Sequence, residues 1–562
     1  MHFNKNTGQL GRVTVLSRTN SHLRSSCTIK PFERAGAVFS PRASRVRAVV
    51  YDLFLEIKVT SAGTLQASLE RVYNSEFPAT QLKLNGQLLA SFSYDNDGLL
   101  TQAGPLAITR DPQTGFWLSS QAGVVQESRS FDAYGQLQSQ EFKVSGASIL
   151  KITYERDNLG RITAKNEERP SGITRFEYGY DPAGRLVSER KILPDGSSLL
   201  TQWSYDGNGN RVMEVKPNGT AVTGSYDDQD RLLQYGDLSF THTANRELIS
   251  KCQGSVSQYF DYDVFANLRH VILDNGMEIE YVIDGRNRRI GKKINGTLVQ
   301  GFIYDDQLRI LAELDGQNQV VAKFTYADQI NVPEVMEKGG RTYRVLHDHL
   351  GSPRFVIDTQ TGQIVQELHY DAWGNVVFDS NPGFQPFGFV GGLYDNHTKL
   401  VRFGARDYDP QVGRWTSKDP LGIEWNRTNL FDYAAGQPLN VADPAGKSIV
   451  SPGFPAPMDQ LPCAKRVADQ LVQIIPEAWS DKFKHCVISC LIAKYCGPFG
   501  SLAAGGAKEL KDLLDRNPNT HPEKDDWNAD VAGVLCAMMG ANDPCNTCFC
   551  CCSKRGYSPW KK

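Results

Sequence analysis

Apolar and polar positions alternate along most of this chain, and turn residues interrupt the alternation at short intervals. From about residue 60 to 445, runs of β-branched and aromatic residues end in Tyr-Asp or a close variant, pass through a turn holding Gly or Asn, and begin again. The copies are SYDNDGLL at Tyr94, FDAYGQL at Phe131, YERDNLGRI at Tyr154, YDPAGRL at Tyr180 and YDGNGNR at Tyr205. They continue with YDDQDRLL at Tyr226, YDVFANLR at Tyr262, YVIDGRNRRI at Tyr281, YDDQLRI at Tyr304 and YDAWGNVV at Tyr370. A period of two predicts half-buried strands, and Asp-Pro, Asp-Gly and Asn-Gly between such runs predict hairpins. Recurrence at about 20–25 residues predicts a repeat architecture. A single hairpin is marginal in water, so each copy must stack on its neighbours to bury its apolar face. The pattern gives each motif residue a structural task. The Tyr ring lies against the next hairpin, and the Asp caps the turn through backbone N–H groups.

The two ends of the chain depart from this pattern. Residues 1–60 read as an irregular or truncated segment, basic and rich in Ser and Arg, with one strand-like run at Val49 to Ile57. The N-terminus has no apolar core of a signal peptide, which suggests the tail of a longer protein. Residues 447–562 read as a separate unit with helical spacing in CAKRVADQLVQII, WSDKFKHCVISCLIAKYCG, GSLAAGGAKELKDLLDRN and DWNADVAGVLCAMMG. Phe483, Val487, Cys490 and Leu491 share one predicted helical face. The fold class expected overall is mainly β, a spiral of hairpins followed by a small cysteine-rich all-α C-terminal domain.

Composition changes that picture in two places. Of 12 cysteines only Cys27 and Cys252 precede residue 460. Ten cysteines in a small unit predict a disulfide framework and an oxidising destination, secreted or on the cell surface. The competing reading is zinc held by Cys545, Cys548 and one or two of Cys550 to Cys552. The overall charge is balanced, 61 Lys+Arg against 63 Asp+Glu, so bulk attraction to nucleic acid is not expected. No apolar run reaches the roughly 18–20 residues of a membrane span. No cofactor motif is present.

Candidate chemistry is sparse. His347, Asp348 and His349 form an HxH in a Gly-Pro turn, readable as a metal site or as a polar turn network. Asn381 to Asp395, aromatic and glycine-rich, suits a close-packed loop or plug. In the C-terminal unit His485, with Lys508, Glu509, Asp512, Asp526 and Asp530, could form a hydrolytic site, or simply a core histidine beside a charged helix face. Phe403 to Gly446 is the densest stretch in turn formers, Arg, Asp and aromatics, with Asp-Pro at Asp409, Asp419 and Asp443.

The Tyr-Asp repeats, DHLGSPR, YDAWGN, and RDYDPQVGRWTSKDP followed by NLFDYAAGQPLNVADPAG resemble the RHS/YD-repeat family with its RHS-associated core, and in particular its teneurin-like YD shells. The resemblance covers roughly residues 60–446. It implies a repeat β-shell over residues 61–395, an associated core over 396–446 that closes one end, and a variable C-terminal segment over 447–562, often a toxin, carried inside or beside it. It further implies self-cleavage after the DPAG motif by an aspartic-type constellation, carried here by Arg406, Asp419 and Asp443. Two carboxylates held close share a proton, and an adjacent Arg orients them. Lys447 after DPAG, and IEWNRTN after the first Asp-Pro of the pair, depart from the cleaving pattern. Two functions are therefore expected. The first is a toxin-delivery shell with its own C-terminal domain as cargo, served by an immunity protein and a secretion apparatus. The alternative is an uncut, teneurin-like surface, adhesion or carbohydrate-binding module.

Overall fold

A computed structural model describes residues 45–449, apart from 53–54, 63–64, 66, 75–77, 423–428 and 448. Strands begin at Arg45, inside the segment read as irregular. From β1 (Arg45–Asp52) to β32 (Val376–Asp379) the chain forms one 32-stranded sheet. Each strand pairs antiparallel with the next in sequence, so the sheet is a single uninterrupted meander.

The hairpin turns are built as the sequence predicts. Asp206 Oδ1 accepts the N–H groups of Asn208 and Asn210 at 2.9 Å each. Asp227, Asp284 and Asp371 do the same at their own turns. In five repeats, those of Tyr94, Tyr180, Tyr205, Tyr226 and Tyr304, the Tyr hydroxyl reaches back to a backbone carbonyl of the preceding strand pair. Tyr180 Oη donates to the Ile162 carbonyl at 2.7 Å, Tyr205 to Leu186 at 2.6 Å and Tyr304 to Arg289 at 2.8 Å. A third member of the motif, the Arg four residues after the Asp, escaped the sequence reading. Arg185 Nε donates to Asp181 Oδ2 at 2.6 Å while its guanidinium lies 4.8 Å from the Tyr205 ring centroid. Arg161 on Tyr180 and Arg288 on Tyr304 repeat the arrangement at 4.8 and 4.9 Å. These three turns thus hold the tyrosine of the next repeat through cation–π contacts.

The sheet coils back on itself. β9 (Val125–Phe131) and β12 (Ile162–Arg169) meet β29 (Arg341–His347) and β30 (Pro353–Asp358), roughly 200 residues further along the chain. Buried ion pairs fasten the overlap. Arg344 Nη2 meets Glu127 Oε2 at 2.6 Å, and Arg354 grips Glu167 through both carboxylate oxygens at 2.9 and 3.0 Å. Nearer the rim, Arg110 makes a forked contact to Asp328. Apolar side chains fill the same seam, with Phe142, Leu150 and Ile152 packed in one cluster with Leu346, Phe355 and Ile357. The Asn381 to Asp395 segment is the close-packed loop expected, with Phe387, Phe389 and Val390 buried.

The fold class expected from sequence needs correction. The antiparallel β spiral is present, but the described structure holds no α-helix, only single 3-10 turns at Phe389–Gly391 and Ala434–Gly436. Cys252 is the one cysteine among the described residues. The expected cysteine-rich all-α unit at 447–562, with its zinc alternative, lies outside the described residues and is not part of the fold as established. None of the described helices is long and apolar enough to cross a membrane.

Candidate functional site

After β32 the chain turns inward and forms a second, four-stranded sheet. Its strands are β33 (Leu393–Tyr394), β34 (Val401–Phe403), β35 (Arg406–Asp409) and β36 (Arg414–Trp415). Aromatic side chains from this sheet, joined by Tyr433 beyond it, pack in edge-on, tilted and stacked pairs. Phe403, Tyr408, Trp415 and Tyr433 lie with ring centroids 4.4–6.2 Å apart. Such rings each supply a large apolar area on burial, and here they form the floor of the site.

Arg406 stands at the start of β35 with its guanidinium 4.0 Å from the Trp415 ring centroid. Its Nη2 meets Asp419 Oδ2 at 2.9 Å and Asp443 Oδ2 at 3.0 Å. The three residues singled out by resemblance, spread over 37 positions of sequence, therefore converge on one nitrogen. Arg406 is 2% exposed and Asp443 1%. Burial lowers the Arg406 pKa, and the charges of Asp443 and then Asp419 oppose that shift. The Tyr433 hydroxyl is pushed well above the ordinary phenol value by burial first and by the Asp443 charge second. Asp409, the third Asp-Pro aspartate, points elsewhere and pairs with Lys251 Nζ at 2.6 Å.

The same cluster grips the backbone that leaves the core. Arg406 Nε donates to the Gly446 carbonyl at 2.7 Å, and the Lys447 N–H donates to Asp443 Oδ1 at 2.9 Å. One peptide unit, Gly446–Lys447, is thus held at its oxygen by a cation and at its nitrogen by a carboxylate. The approach is close enough to require glycine. Gly446 has φ +64°, and a Cβ there would lie 2.4 Å from the Phe403 carbonyl oxygen. Gly404 meets the exit segment as tightly, with 2.5 Å from a would-be Cβ to the Ala445 oxygen. The turn-capping role of the aspartates holds as well. Asp419 Oδ1 accepts the Leu421 N–H at 2.9 Å, leaving Oδ2 for Arg406.

The HxH turn is a polar network. His349 Nε2 lies 2.9 Å from the Leu439 carbonyl, His347 Nδ1 lies 3.1 Å from the Asp348 carbonyl, and Asp348 Oδ1 caps Leu350 and Ser352. Burial lowers the pKa of both histidines to about 4. Among the described residues no group of three or more His, Cys, Asp or Glu is placed to hold a metal ion. His485 and its candidate partners lie outside the described residues. Sequence reading missed how far buried charge ties the core to the spiral. Asp407 on β35 accepts from Arg289 Nη2 at 2.6 Å and from Arg402 Nη1 at 2.9 Å, and Arg414 Nη1 donates to Asn210 Oδ1 at 2.8 Å. These residues lie in turn-rich, charged segments that read as surface until the partner more than 100 positions away is known.

Comparison with known proteins places this architecture. The family model described as the teneurin YD-shell matches residues 20–438. Teneurin-4 of Mus musculus is 29% identical over 303 residues, covering 53% of this chain and 11% of the relative. Teneurin-3 of Danio rerio is 27% identical over 332 residues, covering 56% of this chain and 12% of the relative. The chain thus spans about a tenth of the length of these curated relatives. Among solved structures, the Photorhabdus luminescens Tc holotoxin pore superposes with a TM-score of 0.60 at 16% identity, over 72% of this chain and 23% of that one. The TcdB2–TccC3 crystal structure gives 0.57 at 17%, over 68% and 22%. At these identities the likeness to the toxin structures is one of fold.

Proposed function

This chain belongs to the teneurin YD-shell family, and from that premise we propose that it is the scaffold module of a surface or adhesion protein, kept uncut, which presents the polypeptide that follows its core. The observation that carries this reading is the clamp on Gly446–Lys447. Arg406, Asp419 and Asp443 fix the point where the chain leaves the core, so whatever follows is held at a defined place. The long meander supplies a stiff wall, and the family relationship supports a surface setting.

The same geometry favours one second reading, self-cleavage at Gly446–Lys447 with release of the following segment. Water would add to the Gly446 carbonyl carbon and give up a proton to one carboxylate. A carboxyl would protonate the Lys447 nitrogen as the C–N bond breaks, while Arg406 Nε would steady the oxygen. Two measurements separate these readings. Mass spectrometry of the protein denatured at neutral pH gives a single species of 62.5 kDa if the chain stays whole. Two fragments meeting at Lys447, restored to one by Asp443→Asn, would replace the display reading with the release reading. Full-length chain displayed on non-adherent cells should make them bind other cells or glycan surfaces. Growth arrest on intracellular expression, without any binding, would overturn the adhesion reading.

A further inference from the structure

On β20 (Leu248–Gln253), Lys251 points at the core, where its Nζ meets Asp409 at 2.6 Å. Its register partner Phe240 and, on β21 (Val256–Tyr262), Phe260 share a cluster with Leu400 and Val412 of the core segment. Side chains alternate along a strand, so Ser250 and Cys252 lie on the opposite, outward face, beside Ser257 and Tyr259. An outward face is expected to be wet, yet Ser250 is 2% exposed and Cys252 3%. Cys252 is moreover disulfide-bonded. It is the one cysteine among the described residues, so its partner sulfur belongs to a segment outside them.

The opening strands lie over later ones in step. β5 (Gln87–Tyr94) touches β27 (Val320–Thr325). On β3 (Ala67–Tyr73) Arg71 pairs with Asp305, at the end of β25 (Thr297–Tyr304), and Leu65 just before β3 packs on Gly301 of β25. Each of these early strands overlies the strand 22 places later. Carried two strands further back, the step sets β1 over β23 (Glu278–Ile283), so the chain entering β1 at Arg45 comes from above β22 (Leu268–Ile272), β21 and β20. From β23 to β20 is three strand spacings, about 14 Å. The 17 residues between Cys27 and Arg45 extend to about 56–61 Å, ample for that distance. The other ten cysteines, Cys463 to Cys552, follow the exit at Lys447, on the core side of the sheet. They are also an even set, able to pair among themselves, which leaves Cys27.

We propose that Cys252 is bonded to Cys27, and that this bond clips the residues preceding β1 across the outward face of β20, β21 and β22. The clip lengthens the overlap between the turns of the spiral. It forms by thiol–disulfide exchange. The Cys27 and Cys252 thiols lose two protons and two electrons and gain one S–S bond, while a disulfide of the oxidising compartment takes these up and leaves as two thiols. Persistence of the bond rests on the surface setting proposed above; the choice of partner does not.

The test is tryptic mapping of the full chain, exported to an oxidising compartment, alkylated before denaturation and kept unreduced. Residues 25–34, with the Lys30–Pro31 bond uncut, should stay joined to residues 252–269 and separate on reduction. Cys252 joined to any peptide from 463–552, or alkylated in the unreduced chain, would overturn the pairing. Cys27→Ser should quicken hydrogen exchange in β20 and β21 and lower the thermal midpoint, since the bond joins residues 225 positions apart. Exchange as slow as in the parent would overturn the clip. If that variant does not fold, the peptide map of the unmodified chain decides. The map reads pairing in purified protein, independent of cell binding. A chain that joins Cys27 to Cys252 yet binds no surface upholds the clip and fails only the adhesion reading.

Discussion

Glu127→Gln is the substitution whose consequence follows most directly from the coiled sheet. Glu127 is 2% exposed and sits at the overlap of two turns of the spiral. Its Oε2 meets Arg344 Nη2 at 2.6 Å, its Oε1 accepts from Arg129 Nε at 2.6 Å and from Gln140 Nε2 at 2.8 Å. Burial alone would raise its pKa, but the charges of Arg129, Arg344 and His347 overcome that and lower it from 4.5 to about 2. That displacement corresponds to about 3 kcal/mol of preference for the ionised form in the folded chain. The sign follows from linkage. The contribution is fully present above about pH 4.5, the unfolded value, and is lost as pH falls through about 2. Glutamine keeps the shape, loses the charge and leaves buried Arg344 and Arg129 with only Glu334, whose pKa burial raises to about 7, as a nearby carboxyl, a loss of about 3–5 kcal/mol. The assay is urea unfolding of the full chain, with hydrogen exchange followed at β9 and β29. At pH 7 the variant should lose protection first in these two strands, although 217 positions separate Glu127 from Arg344. The gap between variant and parent should narrow as pH drops toward 2, and Arg344→Met added to Glu127→Gln should recover part of the loss. A change below about 1 kcal/mol, or one that does not vary with pH, would refute the claim that this pair fastens the overlap.

The histidines predict a second acid transition. Burial lowers His242, His347 and His349 to about 4, so the unfolded chain takes up protons from about pH 6.5 while the folded chain does not. The thermal midpoint should fall between pH 6.5 and 4, and His242→Gln should flatten that slope. A midpoint constant over this window would contradict their neutral burial. Gly446→Ala forces a Cβ into the left-handed region, costing about 1–2 kcal/mol before the contact with the Phe403 oxygen is counted. Limited proteolysis should then cut near Lys447 faster than in the parent, and unchanged cutting would show that the clamp does not depend on that approach. Arg185→Ala removes both the Asp181 pair and the stack on Tyr205, at about 1–2 kcal/mol. Exchange should quicken in the strand Ser198–Tyr205, whereas uniform exchange would make the arginine ladder incidental.

The repeat is legible in the residues alone. Tyr, Asp and Gly recur at fixed offsets because each solves a local problem: a ring for the neighbouring hairpin, an acceptor for turn N–H groups, and backbone freedom at the turn. Local rules of this kind act over a few residues and are legible without coordinates. The Arg406, Asp419 and Asp443 set was legible only through resemblance, since spacing alone shows Asp-Pro turns, and two of the three aspartates that begin such turns in the core join Arg406 while Asp409 does not. Which charges are buried, and against which partners, follows from the coiling of the sheet. Arg344 finds Glu127, Arg354 finds Glu167, and Arg289 finds Asp407 only because the sheet coils and the core folds into it. A charged residue in a strand of alternating pattern is solvated or buried according to what the next turn of the spiral lays over it. That partner arrives from about 100 to 220 positions away, beyond the reach of any local pattern.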